Sequence, residues 1–295
     1  MIFRSDLAVE TMEYSGDDPK GVEYTKEQAG EITIERVTVK SDKAARNLKK
    51  QKGTYVTVEL PPLTDNFKNT DTRVQNIGAE IGKLLPELGL VLVVGLGNAQ
   101  ITPDSLGPRT IKKVLATRHI NGELAKSAGL DKLRPVAVLA TGVTGQTGIE
   151  TGEYVESLTK KVRPSAIIAI DALASRKLER LGTTLQISDT GIAPGGGVGN
   201  HRTKITAETM GVPVIAIGVP TVVDAATLAF DLLNISEETR SEVIANSVTP
   251  DGRQMVVTPK EVDLLVDRAA RLIAMAVNFA LHKEIDPEDI AVMMG

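Results

Sequence analysis

Five short, largely apolar runs set the strongest limit on the fold of this chain: residues 90–94, 136–139, 166–170, 184–187 and 214–217. A strand with one wet face alternates apolar and polar residues. These runs do not, so they read as strands covered on both faces. Helical patterns lie between them, over residues 105–116, 151–161 and 222–233, and earlier at Val74, Ile77, Ile81, Leu84 and Leu85. Strands and helices in alternation imply βαβ units. The expected architecture is α/β: a three-layer α/β/α sandwich with a mostly parallel sheet, of the phosphorylase/hydrolase kind. An N-terminal β embellishment comes from the alternating runs 32–39 and 54–60, the second stopped by Pro61-Pro62. No repeat or low-complexity linker divides the chain, so residues 1–295 are read as a single domain.

Composition narrows the chemistry. Aromatics make up only 3% of the residues and Trp is absent, so the core must be aliphatic. There is no Cys, which excludes a disulfide framework, a thiolate metal site and a cysteine nucleophile. A net charge of −4 gives no field to recruit nucleic acid directly. The most apolar long segment, 262–281, carries Asp263, Asp267, Arg268 and Arg271, and reads as an amphipathic helix rather than a membrane span. With no secretory signal pattern either, a cytoplasmic location away from membranes is expected.

In an open parallel sheet, ligands bind outside the carboxyl ends of the strands. Four such ends are unusual here. Gly95-Leu96-Gly97-Asn98 leads to Pro103-Asp104; the third glycine of a dinucleotide fingerprint is missing, and Asp104 reads either as a site carboxylate or as a helix N-cap. Residues 140–152 are rich in glycine and hydroxyls, with Gly145, Gln146 and Thr147 at their centre and backbone amides suited to an anion or oxyanion. Asp171 directly ends an apolar strand. Residues 188–202 hold a glycine cluster followed by His201 and Arg202. With three His in the chain and only His201 near a strand end, no catalytic triad follows. Asp104 and Asp171 instead suit a shared-proton pair that positions water.

Six segments in order resemble the spore germination protease family. They are Phe3-Arg4-Ser5-Asp6-Leu7-Ala8-Val9-Glu10, Val94-Gly95-Leu96-Gly97-Asn98, Thr102-Pro103-Asp104-Ser105-Leu106-Gly107-Pro108, Gly145-Gln146-Thr147-Gly148, Ile170-Asp171-Ala172-Leu173 and Gly195-Gly196-Gly197-Val198-Gly199-Asn200. The resemblance runs essentially from end to end. It implies an atypical aspartic endopeptidase, made as a zymogen, active as a homotetramer in the forespore or spore core. Its substrates would be small acid-soluble spore proteins, cut early in germination within a Thr/Ser-Glu-Phe/Ile-Ala motif. Carried over, the catalytic acids are Asp104 and Asp171, with no cofactor. Ser5-Asp6-Leu7-Ala8 has the character of that motif and is expected to be an autoprocessing site, with residues 1–5 as a short pro-segment. A more distant similarity is to hydrogenase-maturation endopeptidases, which add a His near the next strand. Residues 183–189 contain none here, so no metal is expected. Arg109, Gly145, Gln146, Thr147, His201 and Arg202 are the candidate substrate contacts, with Arg109 or Arg202 expected to meet an acidic substrate residue. Two other readings stay open on the residues alone: a phosphorylase using the 142–148 loop for phosphate, and a non-enzymatic module that binds spore proteins.

Overall fold

The computed structural model describes residues 5–14, 20–64, 68, 71–120, 126–127, 130–194, 203–232 and 255–294. Their strands are β1 (Val22–Ala29), β2 (Ile32–Val39), β3 (Gly53–Glu59), β4 (Val91–Gly95), β5 (Val136–Ala140), β6 (Ala166–Ser175), β7 (Thr184–Ser188), β8 (Val214–Asp224) and β9 (Val256–Val257). They join in one sheet of order β1-β2-β3-β7-β8-β6-β4-β5, with β9 on the far part of β8.

The parallel half is β8-β6-β4-β5. The other half, β1-β2-β3-β7, is antiparallel throughout, and β7 also runs antiparallel to β8. The sheet is therefore mixed, not mostly parallel. The reason lies in a connection. Only residues 176–183 separate β6 from β7, too few for the crossover that returns a chain to a parallel partner. Burial at β7 is complete on both faces, so composition alone cannot reveal its direction.

Side chains alternate across the sheet and sort into two cores. Ile168 and Ile170 of β6 and Val91 and Val93 of β4 face the larger one, beneath helices Thr72–Leu84 and Val262–Leu281. The latter helix is amphipathic, as its spacing predicts, and buries Ile273, Ala276 and Val277. Ile167 and Ala169 face the opposite core, where Val155 of helix Thr151–Val162 and Met210 of helix Ala207–Met210 cover the sheet. The result is the expected three layers. Parity then matters for function, because Asp171 shares its side of β6 with Ile167 and Ala169. No described helix is long and apolar enough to cross a membrane.

Candidate active site

The turn after β4 builds the first acid. Leu96 donates from its backbone to the carbonyl of Ile170 at 2.8 Å, which locks the turn onto β6. Gly97 has φ +104, and a Cβ there would lie 2.1 Å from the Asp104 carbonyl oxygen. Only glycine allows the chain to fold back this closely. The fold-back lets the Asn98 backbone donate to Asp104 Oδ2 at 2.7 Å. Asp104 ends the short 3₁₀ turn Thr102–Asp104; the N-cap of the next helix is Ser105. The capping role open on sequence grounds thus does not belong to Asp104.

Asp171 is placed by register. It sits on β6 one residue beyond the Gly95–Ile170 pair and aligns with Gly218 of β8. Its Oδ1 accepts from the Ala172 backbone at 2.9 Å. Both acids line one cavity of about 520 Å³, together with Asp6, Lys50, Gln186 and Thr221. Burial pushes the Asp171 carboxyl up to about 8, with the negative charges of Asp104 and Asp6 adding to it. Asp104 is also raised by burial, with the Asn98 hydrogen bond opposing the shift. Asp171 is thus held well above the usual carboxylate range.

The other expected residues are placed as follows. Gln146, on the turn Thr144–Thr147, donates to Asn98 Oδ1 at 2.8 Å and so braces the loop that holds Asp104. The amides of Gln146 and Thr147 both bond back to the Val143 carbonyl, so they close the turn instead of facing an anion. Gly145 lies in the same turn. Arg109 does not reach the cavity. It lies on helix Leu106–Ile111, in an ion pair with Asp263 at 3.9 Å. His201, Arg202 and the glycine cluster 195–200 lie outside the described residues. Among the described residues no cluster of three metal-ligating side chains occurs.

Of the segment expected to be an autoprocessing site, Asp6 lines this cavity. The Asp6 backbone donates to the Ala174 carbonyl at 2.8 Å, and Ala174 donates to Asp6 Oδ2 at 2.8 Å. The acidic side chain is thus met by a backbone amide, not by Arg109. Leu7 is fully buried, packed with Val9 and Leu173. Ser5 hydrogen-bonds the Glu10 carboxylate, which also accepts from the backbones of Arg176 and Lys177. Two further cavity residues, Gln186 and Lys50, touch this segment and carry no mark in the sequence. Gln186 reads there as a single polar break in a buried strand.

A profile described as germination protease matches residues 4–235 and 232–294. The chain is 41% identical to the germination protease of Caldanaerobacter subterraneus subsp. tengcongensis, over 97% of this chain and 96% of that one. It is 39% identical to that of Clostridium acetobutylicum, over 97% of each chain. For Bacillus cereus the identity is 35%, over 97% of this chain and 95% of the other. Among solved structures it is similar to a NiFe hydrogenase maturation protease, HycI, from Thermococcus kodakarensis, with TM-score 0.37 and 14% identity over 67% of this chain and 98% of that one. A match of this extent, over the segments that build the two-acid cavity, makes the chain a peptidase belonging to the germination protease family.

Proposed function

We propose that this peptidase cleaves small acid-soluble spore proteins during germination by a metal-independent two-aspartate mechanism. The observation that carries the reading is the unequal acid pair in one cavity, with Asp171 held up to about 8 and Asp104 contributing to that shift. Asp104 takes a proton from water as the water oxygen attacks the peptide carbonyl carbon. Asp171 gives its proton to the leaving nitrogen as the C–N bond breaks. Transfer of the proton from Asp104 to Asp171 restores the pair. The chain supplies no Cys, and β7 supplies no His for a metal; activity that survives a chelator checks this part.

Autoprocessing within Ser5-Asp6-Leu7-Ala8 belongs to the same proposal, as do zymogen synthesis, the homotetramer and action in the spore core. Support for autoprocessing comes from the seat of Asp6 in the cavity that holds both acids. Sequencing of the new N-terminus after activation locates the cut, and sedimentation measures the assembly.

The central experiment replaces each acid with Asn. Asn keeps an acceptor for the Asn98 amide but cannot exchange a proton. Asp104→Asn and Asp171→Asn should each fold and lose about 10²-fold or more in cleavage of spore protein. A variant that keeps near-wild-type cleavage removes its residue from the mechanism.

A further inference from the structure

We propose that Gln186 and Lys50 form a clamp for the main chain of a peptide substrate, a clamp that residues 5–8 of the chain fill in cis. The proposal rests on the reading of this cavity as the peptidase site and names how that site holds its substrate.

The geometry of Gln186 is that of a missing strand. Its Nε2 donates to the Asp6 carbonyl at 3.0 Å, and its Oε1 accepts from the Ala8 amide at 2.7 Å. A residue in a parallel ladder engages its neighbour in this way, through the carbonyl before and the amide after one residue. Here a side-chain carboxamide does so, skipping Leu7. On the other edge, Asp6 pairs with the backbone of Ala174. The peptide is thus held from both sides through groups that every peptide has.

Lys50 adds a second donor to the same carbonyl. Its Nζ lies 2.8 Å from the Asp6 carbonyl oxygen and 3.4 Å from that of Ser5. Burial draws the ammonium down from its usual range, while Asp6 and Glu10 oppose the shift. A lysine used for surface solubility would not be held in such a place. Gln186 is buried, and a buried carboxamide needs partners. If residues 5–8 leave, both residues lose theirs, and another peptide main chain is the group that restores them.

Sequence preference then comes from the two side-chain seats. An acid is read by the Ala174 amide, and a large apolar residue by the pocket beside Leu173.

The test uses the full chain carrying Asp171→Asn and a synthetic peptide copying residues 3–12, with mass spectrometry confirming that the peptide stays whole. A cut peptide would count against the two-acid mechanism and leave the clamp to be judged on binding. At saturating peptide, hydrogen exchange at the Asp6, Leu7 and Ala8 amides should accelerate about tenfold or more as the segment is displaced. Adding Gln186→Leu or Lys50→Met should weaken peptide binding about tenfold. An ester in place of the peptide's Ala8 amide should weaken binding to the Gln186 chain and make no difference to the Gln186→Leu chain. This ester comparison needs only that the chain with Gln186 folds to be informative in its first half. Peptide that does not bind, or that binds without changing exchange at residues 6–8, overturns the proposal. So does equal binding of amide and ester by the Gln186 chain.

Discussion

Gln186 and Asp171 stand in one row of the sheet, each aligned with Gly218, which lies on the strand between them. Residues in a row project to the same face, and two strand spacings separate these two by roughly 10 Å. With no side chain of its own, Gly218 leaves the place between them to the side chain of Leu173. A Cβ on Gly218 would meet the Asp171 carbonyl oxygen and Leu173 Cγ, each at 2.6 Å. Gly218→Ala should therefore disturb both the apolar seat and Asp171, and cut cleavage of a spore-protein peptide by about tenfold or more while the chain stays folded. Circular dichroism paired with a cleavage assay checks this; near-wild-type cleavage would show the close packing of Leu173 on Gly218 to be dispensable.

Activity should follow a bell in pH. Asp171 must carry a proton, so the alkaline limb falls as pH rises through about 8. Asp104 must be ionised, so the acid limb is lost as pH falls through a value above the usual carboxylate range. The Asp6 carboxylate adds to the elevation of Asp171, so in the uncut chain, with residues 5–8 in place, Asp6→Asn should lower the pH at which Asp171 gives up its proton. Profiles of kcat/KM on a peptide supplied in trans measure both limbs, and a rate that stays level well past pH 8 would contradict the assignment.

Stability should carry the same signature. An acid whose carboxyl is raised on folding keeps its proton in the native state while the unfolded chain has lost it. Stability then falls as pH rises from about 4, the unfolded value, to about 8, and is level above that. Asp171→Asn has no charge to bury and escapes this slope. Its melting temperature should match wild type near pH 4 and exceed it by up to roughly 9 °C near pH 8. A constant difference across that range would mean that Asp171 does not titrate as described.

Arg180 should govern the N-terminal segment from a distance. The buried guanidinium lies 2.9 Å from Glu13 and 3.0 Å from Glu59, joining the first helix, Ala8–Tyr14, to β3. Arg180→Met should cost about 2–3 kcal/mol, the scale of charge-assisted hydrogen bonds. It should also speed proteolysis near residues 5–14 more than elsewhere. Limited proteolysis read by mass spectrometry tests this, with uniform acceleration along the chain as the contrary result.

The sequence discloses local pattern well and pairing poorly. All five buried runs are strands, and the strand-end rule alone points to Asp104 and Asp171, which line one cavity. Strand β1 escapes because Val22–Ala29 is a polar, exposed edge with no apolar alternation to announce it. The expected helix over 222–233 shortens to Ala225–Leu232, because β8 runs on to Asp224. Gln186 and Lys50 escape for a different reason. The partners of Gln186 lie 178 and 180 positions away in the chain, and nothing local distinguishes a clamp glutamine from a tolerated polar residue in a strand. Arg109 shows the converse: position after a motif suggests a site residue, and the helix it rides on carries it elsewhere.

The seat of residues 5–8 has a consequence for timing and competition. Strand β7 is made long after the N-terminus, so the cleft is completed only when its occupant is already attached to the same chain. A covalently attached ligand on a short tether acts at an effective concentration on the order of millimolar. A peptide arriving from solution must outcompete that, whereas one whose rival has been cut away meets an open cleft. With the proposed clamp, affinity for outside substrate would follow the fate of residues 5–8, without any change in the cleft itself.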